Sequence, residues 1–569
     1  MIELHPADVA ALAVYFVLVT VLGLWTARHV KTMGDFVMPR KFGKTLMVFY
    51  GFGSGTHSDQ AVSVASKSYS VGVSGIWYQW LWLFPTPFYW LIASVMRRFR
   101  AITTADVFEL RYNQSVAVLF ALVGLLQYTV SIGVMLKGSA HVIEAATAGS
   151  VNANWAIGIM TVLFVAYGMA GGLHAAILTD FIQGVLTIAF SFLLLPFILN
   201  AVGGMEGLRE QLPADKLSLV APAEIGVFYV AVIALNGLVG IVAQPHTMST
   251  CAAGRTELDG QVGWMCGNLT KRVCTIAWML IGVAGFAYFT RLGQGDINPD
   301  NIFGEVARRF LPQILPGLLG LFLAGLLASV MSSCDAFMVA IAGLFAENIY
   351  KPLVSGRSER HYLWVARIAS LGVVASGVAF AYWLEGVVAG LEIFWKLGPM
   401  LGIAFWVGLF WRHMNAIGAW TSTLVAFGVW WLTTQTWFIT TAGNLPGAEA
   451  LRFVFHGGSR PEIYLPWQMI FYLSAGLITG IAASALTARP DKEKLDRFYA
   501  LVRTPILPGE VVDAPCTLPA GVEPAATRKL LPLASFEIYR PSRQMIAGFL
   551  AGWVAVAVLI ATVVWIVRG

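Results

Sequence analysis

The sequence predicts an all-α integral membrane protein, because its composition leaves too few charges for a water-exposed surface. Of the 569 residues, 57% are apolar and 12% are charged, whereas an average soluble domain carries about a quarter charged residues. The apolar residues also gather into runs of the ~20 residues that a helix needs to cross a bilayer. Together these observations exclude a soluble enzyme, a disordered chain and a nucleic-acid-binding domain, although the net charge is +6.

Fourteen apolar runs are predicted to span the membrane. Their predicted limits are 8–27, 45–70, 74–96, 115–148, 153–171, 174–201, 224–248, 268–290, 316–345, 361–384, 388–411, 414–437, 464–487 and 545–567. One set of alternate loops holds 26 of the 37 Lys and Arg, with Lys271 and Arg272 counted among them. Because cytoplasmic loops carry the excess of positive charge, we expect a multi-pass protein of the cell membrane with its N-terminus outside.

The second span is predicted to break in mid-membrane. Gly51, Gly53 and Gly55 alternate, and polar residues follow from Thr56 to Gln60. Gly costs about 1 kcal/mol per helix position relative to Ala, and unpaired backbone is tolerated at this depth only beside protein or a water-filled cavity. The freed carbonyl oxygens can coordinate a small hard cation. The alternative interpretation is close helix packing through small residues, although glycines two apart do not share one helical face.

The seventh span carries a second interruption at Gln244-Pro245-His246, where Pro245 removes a backbone donor and kinks the helix. Interrupted helices at corresponding positions of two halves predict an inverted-repeat transporter with a binding site at mid-membrane. A simple proline kink is the alternative for this second break alone.

Small hydroxyls and an acid lie together on the ninth predicted span. Ser329, Ser332 and Ser333 share one helical face by their three- and four-residue spacing. Hydroxyl and carboxylate oxygens are the ligands that a hard cation requires. Asp335 costs at least about 2.5 kcal/mol in a span unless it is paired or hydrated, which indicates a partner or an ion beside it.

Asp180 is the other acid expected within a span. A turn at Gly171-Gly172 is predicted to separate the fifth and sixth spans, which places Asp180 about two turns into the sixth. A capping or interhelical hydrogen bond is the alternative to a role in cation binding. No metal-ligand cluster or nucleophile motif stands out, so the sequence does not predict an enzyme.

The chain resembles the sodium:solute symporter family, which includes the sodium/proline and sodium/glucose symporters. The resemblance covers roughly residues 8–440 and rests on stretches that stand in the family's order. These are Asp35-Phe36-Val37-Met38-Pro39-Arg40, Thr104-Ala105-Asp106, Arg111-Tyr112, Gly171-Gly172, Thr179-Asp180, Gln183, Gln244-Pro245-His246, Met331-Ser332-Ser333, Asn348-Ile349-Tyr350-Lys351, Phe410-Trp411-Arg412 and Gly418-Ala419.

The resemblance implies a leucine-transporter-like core of ten helices in two inverted five-helix repeats. One extra N-terminal helix and about three extra C-terminal helices complete the implied fold. The expected organisation is an outer helix within 1–30, a transport core over 45–411, accessory helices over 412–488, a cytoplasmic linker over 489–543 and a C-terminal helix over 544–569. The linker is expected to be solvated, with contact to lipid headgroups as the alternative.

The resemblance also implies a co-transported sodium ion between the broken helix and the eighth core helix. Its ligands fall on carbonyls of Gly53, Thr56 and Ser329 and on hydroxyls of Ser332 and Ser333. Asp180 and Asp335 match a candidate second cation site, which would hold a second sodium ion or a shared proton. The residues implied to line the solute cavity are His57, Gln60, Gln79, Trp80, Tyr128, Gln244 and His246.

The expected function is sodium-coupled import of a small polar organic solute by alternating access. The expected partners are that solute and the lipid bilayer, and no nucleic acid. A proton-coupled transporter of the same fold is the nearer alternative. A transporter-like membrane sensor is the other, although residues 489–543 are too short and too proline-rich for a signalling domain.

Overall fold

The computed structural model describes most of the chain as helix. The described residues are 4–27, 38, 40–221, 224–455, 461–507, 509, 510, 512, 514–526 and 528–568, and the side chains of 19, 20, 22–27, 58, 163, 166–180, 332 and 335 are outside that description. The first half contains α1 (Pro6–Ala27), α2 (Lys44–Gly53), α3 (Ser58–Val71), α4 (Trp77–Trp80), α5 (Thr86–Arg98), α6 (Thr104–Arg111), α7 (Gln114–Ala146), α8 (Ala153–Leu193), α9 (Leu195–Ala201), α10 (Gly204–Gln211), α11 (Val227–Ile241) and α12 (Thr247–Ala252).

The second half continues with α13 (Glu257–Arg291), α14 (Ile302–Ile314), α15 (Leu318–Phe345), α16 (Lys351–Leu353), α17 (Glu359–Trp383), α18 (Val387–Phe410), α19 (Ala416–Thr433), α20 (Thr436–Gly443), α21 (Leu465–Leu486), α22 (Lys492–Arg503) and α23 (Arg543–Arg568). Single turns of 3-10 or π helix lie at Val73–Ile76, Pro299–Asn301 and Ala346–Tyr350. The strands β1 (Val454–Phe455) and β2 (Glu462–Ile463) pair antiparallel.

Nine helical stretches in the described part of the chain are long and apolar enough to cross a membrane. The outer helix α1 packs against α8 and α15, and the Asp8 carboxylate accepts a hydrogen bond from the Gly320 amide at 2.8 Å. The helix pairs α2–α3 and α11–α12 each interrupt one span, as the glycine pattern and Pro245 predict.

The loops meet at two ends of the bundle. The ion pairs at one end join Arg98 to Glu257, Arg100 to Glu510 and Arg412 to Glu537. The last helix, α23, starts at this end and runs to the other, where the Val567 carbonyl accepts a hydrogen bond from Arg209 Nε at 3.0 Å. Arg98, Arg100 and Arg412, from two of the loops predicted to be rich in Lys and Arg, therefore lie together at one end.

The predicted turn at Gly171-Gly172 is wrong, because the backbone is helical without a break from Ala153 to Leu193. Two glycines cost about 2 kcal/mol of helix propensity, which does not end a helix that has no proline or cap at that point. The predicted spans 153–171 and 174–201 are thus α8 followed by the short α9.

The placement of Lys271 and Arg272 in a loop is also wrong. Helix α13 begins at Glu257, where Thr256 and Asp259 form a capping box. Lys271 follows 14 residues later, about 21 Å along the helix at 1.5 Å per residue. Both cations therefore lie deep within a membrane-spanning helix.

The described part of residues 489–543 is anchored to the core through α22, although many of its residues are exposed. Within them, α22 places the Tyr499 hydroxyl 2.9 Å from the Gly408 carbonyl and Lys494 Nζ 2.8 Å from the Tyr112 carbonyl. We call the described part of 489–543 the clamp, because its ion pairs with Arg100 and Arg412 and the hydrogen bond from the Ile506 amide to Glu257 join the ends of α5, α18 and α13.

Candidate functional site

The break between α2 and α3 follows from the local sequence. Helix α2 ends at Gly53, the backbone turns through Ser54, and His57 is extended at φ −112° and ψ 165° as the N-cap of α3. The Thr56 amide donates to the Gly53 carbonyl at 3.1 Å. The Gly55 carbonyl has left the helical ladder and instead accepts a hydrogen bond from Gln60 Nε2 at 2.8 Å.

The glycines of this stretch serve two purposes. A Cβ added at Gly51 would lie 2.5 Å from the Gly263 carbonyl oxygen, so α2 and α13 touch backbone to backbone there. A Cβ at Gly55 would make only ordinary contacts, the nearest 3.7 Å away. The packing alternative thus applies to Gly51, whereas Gly55 belongs to the break.

The predicted sodium-binding oxygens lie where the break meets α15. Ser329 Oγ donates to the Thr56 carbonyl at 3.1 Å, and Ser333 Oγ donates to the Ser329 carbonyl at 2.9 Å. All three residues are buried. The Gly53 carbonyl lies at the start of the same turn, and the Ser332 side chain is outside the described residues. Carbonyl and hydroxyl oxygens are the ligand type that a hard cation prefers.

His57 connects these oxygens to a neighbouring cavity. Its Nδ1 lies 2.6 Å from Ser333 Oγ, and its ring meets Phe337 edge-on at 5.6 Å between centroids. The Thr56 hydroxyl next to it is buried and has no hydrogen-bond partner among the described residues. One short segment therefore touches both the hydroxyl cluster of α15 and the cavity.

The cavity is enclosed by both broken helices together with α7, α13 and α15. Five residues predicted to bind solute line it, namely His57, Gln60, Tyr128, Gln244 and His246. Its volume is about 60 Å³, which is room for about five water molecules. A larger solute therefore requires the lining side chains or helices to move.

Two predicted solute residues lie outside the lining. Gln79 is fully buried in α4, and neither amide atom has a partner among the described residues. Trp80 donates its indole N–H to the Arg272 carbonyl at 3.1 Å. Trp80 therefore contacts the backbone of α13 and does not line the cavity.

Sequence reasoning missed several polar residues that line the cavity. Four of them are Asp59, Gln127, Lys271 and Arg272. Lys271 Nζ donates to the freed Gly55 carbonyl. The signal that could have placed the two cations was the capping box at the start of α13, because it sets the helix start before the polar residues.

The candidate second cation site stays a prediction. The backbone of Asp180 lies in α8 and that of Asp335 in α15, but both side chains are outside the described residues. Gln183, one turn after Asp180, is described, and its amide lies 3.5 Å from the Tyr15 hydroxyl.

Comparison with known proteins finds a family match over most of the chain. The model of the sodium:solute symporter family matches residues 12–426. A sodium/pantothenate symporter of Haemophilus influenzae is 26% identical over 431 residues, which is 71% of this chain and 86% of that protein. The sodium/proline symporter of Escherichia coli is 26% identical over 431 residues, 71% of this chain and 83% of that protein. The mouse sodium/myo-inositol cotransporter 2 is 23% identical over 88% of this chain and 80% of its own length.

Two solved structures share the fold. A Na⁺-coupled sialic acid symporter in a substrate-bound outward-open state superposes with a TM-score of 0.66 at 16% identity, covering 86% of this chain and 99% of that one. A nucleobase-cation-symport-1 family transporter in a closed conformation gives 0.52 at 11% identity, covering 81% and 98%. These likenesses confirm the leucine-transporter-like fold predicted for the core, to which α1 and the C-terminal helices α19, α21 and α23 are added.

Proposed function

The chain belongs to the sodium:solute symporter family, and we propose that it imports a small polar organic solute by alternating access. It is a multi-pass membrane transporter and not an enzyme, and sodium is its co-transported ion.

The proposal is supported by the uncharged carbonyl and hydroxyl oxygens that lie together where the break between α2 and α3 meets α15. Ser329 Oγ contacts the Thr56 carbonyl, and Ser333 Oγ contacts the Ser329 carbonyl one turn earlier in α15. A sodium ion between them would replace these hydrogen bonds with ion contacts and tie the broken helix to α15. Sodium binding would thus favour one arrangement of the two helices over the other, which is what coupling requires.

His57 is the proposed link between sodium and solute. It touches Ser333 on the sodium side and lines the cavity on the other. A sodium ion that repositions Ser333 would also reposition His57, so the cavity would bind solute best after sodium. The sodium gradient then drives import, with an added ~2.3 kcal/mol per charge for each 100 mV of membrane potential.

We propose that the clamp end of the bundle faces the cytoplasm of a cell-membrane protein, with the N-terminus outside. The Lys and Arg of the loops between α5 and α7, before α13 and after α18 lie at that end. This distribution follows the positive-inside rule.

Uptake by the purified full-length chain in proteoliposomes tests the proposal. A panel of small labelled metabolites is presented with an inward sodium gradient or with choline in its place. Accumulation of at least one solute should require sodium, and Ser333→Ala should weaken the apparent sodium affinity about tenfold. Thr423→Ala is the matched control, since its buried hydroxyl bonds only its own helix, at the Ala419 carbonyl. Uptake driven by a proton gradient without sodium would contradict the proposal.

A further inference from the structure

Two cations that the fold buries face the transport cavity. Lys271 and Arg272 expose 4% and 1% of their surface, and both line the cavity. Neither was assigned to a binding site by its sequence context. A charge held at membrane depth is expensive unless a partner or water compensates it.

Lys271 is fixed towards the break. Its ammonium donates to the Gly55 carbonyl and lies 5.8 Å from the centre of the Trp82 ring. Gly55 is the carbonyl that the interruption of the helix frees. The broken helix therefore holds the positive charge of this α13 residue at the cavity wall.

Arg272 is the less satisfied of the two cations. Its Nη2 is 3.4 Å from Asn268 Oδ1, and the guanidinium lies 5.9 Å from the Trp82 ring centre, close to the Tyr89 hydroxyl. Its Nε and Nη1 are buried and have no hydrogen-bond partner among the described residues. A buried guanidinium with two unused donors is suited to an anionic oxygen.

The charges of the lining do not cancel. Asp59 is the one acid among the described residues that line the cavity, against two cations, so one positive charge remains among them when His57 and His246 are neutral. Asp59 Oδ1 itself has no partner among the described residues. A solute with a single negative charge would bring the lining to neutrality.

The opposite wall is neutral and polar. Both amide atoms of Gln127 and the hydroxyl of Tyr128 are buried without partners in the described structure, and Phe337 lies 4.7 Å from the Tyr128 ring centre. This wall offers hydrogen bonds and an aromatic face to the uncharged part of a solute. Arg97 also has two unpartnered donors but lines no described cavity, so it points to no ligand.

We propose that the solute is a small organic monocarboxylate, and that Lys271 and Arg272 bind its carboxylate while α7 contacts the remainder. This inference rests on the proposed function, since the cavity is taken to be the transport site. The small cavity volume favours a solute of few atoms.

Matched pairs of ligands test the charge directly. Purified protein in sodium is titrated with monocarboxylates of two to ten carbons and with the primary amide of each, and thermal stabilisation is measured. At least one carboxylate should bind about 10- to 100-fold more tightly than its amide, because a charge-assisted hydrogen bond is lost in the amide. Equal or tighter binding of amides, or stabilisation by none of the carboxylates, would overturn the proposal.

Substitutions separate recognition from folding. In Lys271→Gln and Arg272→Gln the preference for carboxylate over amide should fall to near unity, while Arg272→Lys should retain part of it. Lys396→Met removes another buried lysine that does not line the cavity and should leave the preference unchanged. Variants that keep the preference would contradict the assignment of these residues.

Two further results distinguish a failure of the monocarboxylate assignment from a failure of sodium symport. Sodium-driven uptake of a neutral solute would sustain sodium symport and reject the carboxylate. Carboxylate binding that is the same in sodium and choline would sustain the cationic site and reject sodium coupling at this cavity.

Discussion

Two arginines buried in one molecule have opposite surroundings. Arg100, after the end of α5, has a side chain 0% exposed, and it forms a bidentate pair with Glu510 of the clamp at 2.6 and 2.9 Å. Its remaining donors reach the backbone carbonyls of Arg98, Thr504 and Pro505. Arg272 in the cavity has no acidic partner in the described structure and two unused donors.

The difference separates a structural charge from one that is available for binding. The bidentate pair with Glu510 offsets the free-energy cost of burying the Arg100 charge, and it joins two distant parts of the chain. Arg272 keeps its charge uncompensated, and that cost is tolerable only if a ligand or water offsets it. Stability measurements on the two sites should therefore give opposite results.

The largest effect is expected for Arg100→Gln. This change leaves the Glu510 carboxylate buried without its cation, which typically destabilises a protein by about 3–5 kcal/mol. The unfolding temperature of the purified protein, followed by tryptophan fluorescence, should fall accordingly. A melting temperature equal to that of the wild type would show that the clamp does not hold the core.

The difference in unfolding temperature between the wild type and Arg100→Gln should depend on pH. This effect should be smaller, but its direction is defined by the pKa of Glu510. Burial alone would raise the pKa of Glu510, yet the hydrogen bonds from Arg100 outweigh it and hold the pKa below its ordinary value of 4.5. A depressed carboxyl pKa contributes stability above the unfolded value, and this is lost as pH falls through the folded value.

The melting temperatures of the wild type and Arg100→Gln should therefore differ most near neutral pH and converge below about pH 4.5. The pKa of Glu537 is also lowered, because hydrogen bonds from Tyr539, Lys529 and Arg412 outweigh the effect of burial, which alone would raise it. A gap between the two proteins that widens on acidification would contradict the pairing.

The smallest effect on stability is expected for Arg272→Gln. Removing an uncompensated buried charge relieves a penalty, so the free energy of unfolding should change by less than about 1 kcal/mol or increase. Ligand binding should be impaired in the same sample. A destabilisation as large as that of Arg100→Gln would mean that Arg272, like Arg100, stabilises the fold. The distinction between the two arginines would then be wrong.

The sequence predicted the two helix breaks and the serine face of α15 better than the lining of the cavity. Alternate glycines and Pro245 interrupt helices for local reasons, and the spacing of Ser329 and Ser333 places them on one face. These signals need no knowledge of distant contacts. The membership in the family and the core fold that the residues implied are both confirmed.

Lys271 and Arg272 were missed because charged residues are assigned to loops when membrane spans are predicted from hydropathy. Their depth depends on where α13 begins, and the capping box of Thr256 and Asp259 that marks this start is followed by polar residues typical of a loop. The clamp was missed because Glu510 meets Arg100 across 410 residues, a pairing that no local pattern contains.

Binding of radioactive sodium to the purified protein directly tests for a sodium site between the broken helix and α15. We expect saturable binding that excess choline does not displace. Ser333→Ala should weaken that binding about tenfold, and Thr423→Ala should preserve it. Sodium binding that is unchanged in Ser333→Ala, or absent from the wild-type protein, would contradict a sodium site between the broken helix and α15.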